Sequence, residues 1–218
     1  AIAEIAAMQK AGIVAVSDDG RPIANAKLLR QVMDYCHSLG LPVIDHCEDS
    51  SLAAGAVMRE GPRSVRLGHQ GMPAAAESIA VARDIQEVEL TGCRFHVAHL
   101  SAKKSLELVR EAKQKGLPVS CEVTPHHFTL IDEDVGYDTH YKMNPPLAAR
   151  EDREALLEGL ADGTVEAHIA EHVRGMVAAT VAHVSINASA TTQADAQLWQ
   201  QWALGVADAV ERGVPAVV

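Results

Sequence analysis

The chain has 218 residues, 48% of them hydrophobic and only 3% aromatic, with a formal net charge of −10. That length can bury a sizeable core and most simply makes one domain. The acidic balance argues against a general nucleic-acid surface, which would need a basic patch. There is no run of about 18 apolar residues to predict a membrane span. No basic segment followed by an apolar core marks a signal peptide, so a cytoplasmic location is expected. Cys36, Cys47, Cys93 and Cys121 show no CxxC spacing and read as reduced, buried thiols. Eleven histidines raise the prospect of a metal site.

In chain order, residues 1–11 have apolar positions at helical spacing and stop at Gly12. A short strand is expected over 13–17, then a helix over 25–39 with Leu28, Leu29, Val32, Met33 and Tyr35 on its apolar face. A strand over 42–46 leads into residues 47–73, which are rich in glycine and charge. This stretch is too long for an ordinary strand-to-helix loop and reads as an active-site excursion. A helix over 74–91 stops at Gly92. A strand over 94–99 follows, with Ser101 expected as the cap of a helix running to Lys115. A strand over 118–123 runs on into His126 and His127. After a loop over 132–149 come a helix over 150–160 and a strand over 165–170. Regular alternation of strand and helix predicts an α/β fold with a parallel sheet. Beyond Glu171 the pattern changes. Residues 1–172 read as a partial (β/α) barrel domain, and 173–218 as a divergent helical segment of the same domain, with a helix over 194–212 carrying Trp199 and Trp202.

Three of the apolar runs end in a polar residue suited to a metal: Asp19, His46 and His99. Zinc accepts such a set of oxygen and nitrogen donors, with water completing a catalytic site. The ends of parallel strands are also where (β/α) barrels place their chemistry. Asp18 competes with Asp19 for the ligand role. On an extended strand His126 and His127 would face opposite ways, so at most one would point into a site. Asn144 lies on a stiff loop between Met143 and two prolines and suits a substrate-facing amide. Cys47 reads as a small buried hydrophobe, and Arg63 and Arg66 as a solvated face.

These residues sit in a longer ordered set: Val16-Ser17-Asp18-Asp19-Gly20, His46-Cys47-Glu48-Asp49, Gly71-Met72-Pro73 with Ala76-Glu77, His96-Val97-Ala98-His99-Leu100-Ser101, Glu122-Val123-Thr124-Pro125-His126-His127 and Lys142-Met143-Asn144-Pro145-Pro146-Leu147. Together they resemble the bacterial (class I) type of dihydroorotase, of the amidohydrolase superfamily of (β/α)₈ barrels, over about residues 1–167. The resemblance implies that Asp19 bridges two zinc ions from the fourth barrel strand. It also implies that His46 and His99, from the fifth and sixth strands, ligate the second zinc, and that Asn144 contacts substrate. Hydantoinases and many allantoinases of the superfamily place a carboxylated lysine where Asp19 stands, so Asp19 favours dihydroorotase.

The departures are equally specific. The family's first-strand His-x-His pair, which holds the first zinc, has no counterpart here, and the expected barrel is incomplete, comprising strands four to eight. Where the family reads Asp-His-Ala-Pro-His, this chain reads Glu171-His172-Val173-Arg174. Register thus puts Glu171 at the catalytic aspartate, while His168, His172 and His183 are the histidines available to replace the missing pair. Ala148 stands where relatives commonly have arginine. The implied reaction is the zinc-dependent, reversible conversion of N-carbamoyl-L-aspartate to L-dihydroorotate in pyrimidine biosynthesis, with one or two ions bound. The alternatives are a catalytically silent structural partner of aspartate transcarbamoylase and a hydantoinase- or allantoinase-type hydrolase; the partners expected are a small-molecule substrate and either a second copy of the chain, as a homo-oligomer, or aspartate transcarbamoylase.

Overall fold

The computed structural model describes residues 2–165. In chain order these form α1 (Ile5–Lys10), β1 (Val16–Ser17), α2 (Ala26–Ser38), β2 (Val43–Asp45), α3 (Ser50–Ala53), β3 (Met58–Arg59), α4 (Pro62–Leu67), β4 (Gly71–Met72), α5 (Ala75–Thr91), β5 (Phe95–Val97), α6 (Lys103–Gln114), β6 (Val119–Cys121), α7 (Pro125–Thr129) and α8 (Arg150–Ala161). The long helices form where apolar periodicity and end signals agree. The side chain of Asn25 accepts the Leu28 amide at 3.0 Å, satisfying one of the free donors at the start of α2. That helix then buries Leu29, Val32, Met33 and Cys36 along one face. At the end of α5, Gly92 adopts a left-handed φ of 67°, a conformation that costs glycine nothing.

Strands β1, β2, β5 and β6 make one parallel sheet in that order. Successive helices pack α2 on α5, α5 on α6 and α6 on α8 across one face of it. Val43, Phe95, Val97, Val119 and Cys121 point into this helix layer and join Leu29, Met33, Val81, Val88, Leu106 and Leu156 in the main core. Alternate residues point the other way. Ile44, His96 and Ser120 fall in one row by register and are only half-buried. The parallel β/α order is the one expected from sequence.

The strands are shorter than their apolar runs. Pro42 and Pro118 have no N–H to give, so each enters the ladder only as an acceptor, from Val16 and Phe95 respectively. At the other end, His99 has a φ of 35°, which no strand accommodates. Ser101 is not the cap of α6. Ala102 holds the cap position without a side-chain bond, because the Ser101 hydroxyl is engaged by Glu77 and Arg59. Residues 126 and 127 also depart from expectation. Thr124-Pro125 turns the chain into α7 instead of extending the strand, proline being well placed at a first helical position.

The 47–73 excursion is a structured insert in which β3 and β4 pair in parallel, Met58 opposite Gly71 and Arg59 opposite Met72. Gly71 is required there, since a Cβ would lie 2.4 Å from the Cα of Glu60. Arg63 is not on a solvated face: its guanidinium donates twice to the Val135 carbonyl, at 2.9 and 2.6 Å, tying the insert to the later loop. Arg66 is exposed as expected. Cys36, Cys47, Cys93 and Cys121 are free and buried. Among the described residues no helix is long and apolar enough to cross a membrane. The rest of the strand expected over 165–170, His168, Glu171, His172, His183 and the 173–218 segment lie outside the described residues.

Candidate metal centre

Asp19, His46 and His99 come from the loops that follow β1, β2 and β5, and their ligand-type atoms converge. His46 Nδ1 lies 3.0 Å from His99 Nε2. Asp19 Oδ1 lies 3.5 Å from the first nitrogen and 3.4 Å from the second. Zinc–nitrogen bonds of 2.0–2.1 Å in a tetrahedron set neighbouring donors roughly 3.3 Å apart, and these three separations bracket that value. The donor set therefore fits a divalent metal. His46 is buried, His99 half-buried, and the Asp19 side chain is 63% exposed, which leaves the fourth side of the cluster open to solvent.

The loop geometry is built for this convergence. His99 is the one described non-glycine residue with positive φ. A left-handed conformation of this kind costs on the order of 1–3 kcal/mol and is held only where the surroundings impose it. Asp18 turns away from the cluster, its oxygens accepting the amides of Ile23 at 2.7 Å and His46 at 3.3 Å. The competition between the two aspartates is thereby resolved geometrically, since Asp19 alone faces the histidines. Burial, and after it the neighbouring Asp45 carboxyl, raises the Asp18 carboxyl to about 7.

Sequence reasoning quoted Glu48 within a motif but gave it no role. The structure gives it one: Glu48 Oε2 lies 3.2 Å from His46 Nε2 and 3.0 Å from Asn144 Nδ2. Asn144 Nδ2 and His46 Nε2 are themselves 3.1 Å apart, and both donate to the same carboxylate oxygen. With its proton on Nε2, His46 presents the Nδ1 lone pair to Asp19 and His99, the arrangement in which an outer carboxylate orients a ligating imidazole. The signal available in the sequence was a carboxylate two residues after a candidate ligand histidine. Asn144 lies beside the cluster, lining a cavity of about 420 Å³ with Glu48, Met58, Met72, Lys142 and Met143.

His126 and His127 do not reach the cluster. His126 Nε2 donates to Thr124 Oγ1 at 2.8 Å, that hydroxyl donates to His127 Nδ1 at 2.7 Å, and His127 Nε2 donates to the Pro145 carbonyl at 2.9 Å. This relay secures the loop that carries Asn144. Burial lowers His126 to about 4 and His127 to about 3, so both are neutral near pH 7. Cys47 is a buried thiol that donates to Asp84 Oδ2 at 3.5 Å. Burial and the surrounding carboxylates push it well above its ordinary value, which is the reverse of a nucleophile.

Comparison with known proteins bears on the same residues. The family described as dihydro-orotase-like matches residues 1–105. The dihydroorotase of Desulforapulum autotrophicum is 52% identical over 165 residues, and that of Pelotomaculum thermopropionicum 54% over 165 residues. In both cases the match covers 75% of this chain and 39% of the relative. Over that part of its length the chain is similar to these dihydroorotases. It spans about two fifths of the curated relatives it matches. Solved structures of similar fold include the L-hydantoinase (dihydropyrimidinase) of Arthrobacter aurescens, with a TM-score of 0.61 at 24% identity over 75% of this chain and 39% of that one. The D-hydantoinase of Bacillus sp. AR9 also has a TM-score of 0.61, at 22% identity over 74% of this chain and 37% of that one. At such identities the likeness establishes the fold alone. The described residues therefore contain one contiguous parallel arc of that fold, β1-β2-β5-β6. Asp19 reaches both histidines with its own carboxylate, so the cluster closes without a longer modified side chain at that position.

Proposed function

We propose that this chain supplies the Asp19–His46–His99 half of a dihydroorotase-type active site, acting in the interconversion of L-dihydroorotate and N-carbamoyl-L-aspartate. The observation that carries the reading is the convergence of His46 Nδ1, His99 Nε2 and Asp19 Oδ1 at tetrahedral spacings beside an open cavity. Zinc is the proposed metal because it takes mixed imidazole and carboxylate donors. When bound, it supplies a Lewis acid that polarises an amide carbonyl and acidifies water. The chain's own residues do the rest. Glu48 fixes the tautomer of His46 and holds the Asn144 amide at the rim. Asn144 and Lys142 line the cavity, where an amide and a cation meet the polar edge and carboxylate of a small cyclic ureide. The apolar walls of Met58 and Met72 exclude water from its ring. Glu171 is proposed as the group that moves the proton between water and the leaving nitrogen. A small-molecule substrate and a cytoplasmic setting belong to the same reading.

The test is zinc content together with turnover of L-dihydroorotate by the purified chain, against His99→Ala. Bound zinc with turnover, both lost in the variant, is the expected result. A parent chain that binds no zinc would overturn the metal assignment. Zinc bound without turnover of dihydroorotate, but with turnover of hydantoin, would overturn the substrate.

A further inference from the structure

The Gly71–Met72–Pro73 and Ala76–Glu77 motif takes no part in the cluster, yet it leads to a second layer of the same site. Glu77 lies in the first turn of α5 and is 2% exposed. Its carboxylate faces the turn just after His99. Oε1 accepts the Ser101 and Ala102 amides at 3.2 and 3.0 Å, and Oε2 accepts the Ser101 amide at 3.0 Å together with the Ser101 hydroxyl. The hydroxyl in turn accepts from the guanidinium of Arg59 at 2.7 Å. Arg59 is itself 2% exposed and comes from β3 of the insert. A buried carboxylate and a buried guanidinium, from two different elements, thus converge on one serine two residues beyond His99.

His99 needs such an anchor. A ligating imidazole is ordinarily oriented by a hydrogen bond from its second nitrogen, but His99 Nδ1 is buried and has no hydrogen-bond partner among the described residues. Its backbone sits at a φ of 35°, which relaxes unless its neighbours hold it. We propose that Glu77, steadied by Arg59 through Ser101, is a positioning residue that holds the turn from His99 to Ala102 so that His99 Nε2 faces His46 and Asp19. The proposal rests on the metal reading of that cluster.

The bland alternative is that Glu77 merely caps α6. The structure provides its own control, because the Lys103 amide at the start of α6 donates to Asp152 at 2.8 Å, and no hydrogen bond links Asp152 to residues 99–101 among the described residues. Zinc and cobalt(II) titrations of the full chain, with the visible spectrum of the cobalt form, distinguish the two. Glu77→Gln is expected to weaken zinc binding roughly 10–100-fold, as loss of an outer partner does, and to alter the cobalt spectrum. Asp152→Asn should lower the melting temperature and leave both unchanged. In a His99→Ala background Glu77→Gln should cause no further loss, since residues acting through one contact are not additive. Parent-like zinc affinity in Glu77→Gln, or an undiminished loss in the His99→Ala background, would overturn the proposal and leave the metal reading standing. A parent that binds neither metal would overturn both. Where circular dichroism shows Glu77→Gln unfolded, Ser101→Ala takes its place: weakened zinc binding supports the proposal, and parent-like affinity overturns it.

Discussion

Asp45 and His46 are adjacent in the chain and belong to two different groups of ligand-type side chains. His46 joins Asp19 and His99 at the open end of the sheet. Asp45 turns into the helix layer, where its carboxylate lies with Cys47 and Asp84, their ligand atoms all within 4.8 Å of one another. By proximity alone both groups could hold a metal, and the differences between them decide. In the first, lone pairs face a solvent-accessible gap, and an outer carboxylate, Glu48, sets the proton on His46. The second is closed. Burial raises Asp45 to about 7 and also raises Asp84, so protons are retained there instead of released. A cation is already present, with Arg83 Nε 2.6 Å from Asp84 Oδ1. Charge needs a balance in either place; solvent access determines whether a metal or a proton and an arginine provides it.

The contrast breaks most sharply by removing one member from each group. His99→Ala should lower zinc affinity by more than about 100-fold, beyond the range typical of outer-shell changes, as measured by calorimetry, while denaturation in the presence of chelator stays close to the parent. Asp84→Ala should do the opposite. It leaves the Arg83 guanidinium without its close partner and should cost on the order of 3 kcal/mol in urea denaturation, with zinc affinity unchanged. Weakened zinc binding in Asp84→Ala would mean that the two groups are one site. A finer probe is Glu48→Gln. It keeps the shape of the side chain but can present its amide nitrogen to His46, and zinc affinity should fall about tenfold. No change there would show that His46 is oriented by packing alone.

How far the sequence reached follows the same division. Helices α2, α5, α6 and α8 were legible because their apolar faces and stops are local, and Asp19, His46 and His99 because each ends an apolar run at the same phase. The insert was readable only as too long for a loop. Its β3–β4 pairing joins residues that carry no alternation, and Gly71 signals it through a close approach visible only in three dimensions. Glu77 and Asp45 were missed for a related reason. Each is a carboxylate in phase with buried apolar positions, Glu77 between Ala76 and Ala80 and Asp45 after Val43, and periodicity counts such a residue as an error. Their partners Ser101, Arg59 and Arg83 lie on other elements, so only the fold reveals what balances them. The adjacent histidines were read on strand geometry, whereas Thr124-Pro125 started a helix and sent both into the Thr124 relay.

The smallest expected effect concerns pH and sets the carboxyl group against that relay. Asp18 and Asp45 both titrate at about 7 in the folded chain, against an ordinary 3.8. The folded state therefore binds more protons than the unfolded one between about pH 4 and 7, and this contribution to stability is lost as pH rises through that window. His126 and His127 are lowered to about 4 and about 3 from an ordinary 6.5. Here the unfolded state binds more protons, so the contribution is present above about pH 6.5 and is lost as pH falls. The two slopes oppose each other over the same range, and the parent should show a shallow dependence when its metal is removed with chelator. Asp45→Asn removes much of the carboxyl slope and should make stability fall more steeply on acidification from pH 7 to 5. His127→Gln retains a donor for the Pro145 carbonyl and should make it fall less steeply than the parent. If both variants kept the parent profile in melting temperature against pH, burial would not be governing these protons, and the distinction between the closed and open groups would lose its electrostatic basis.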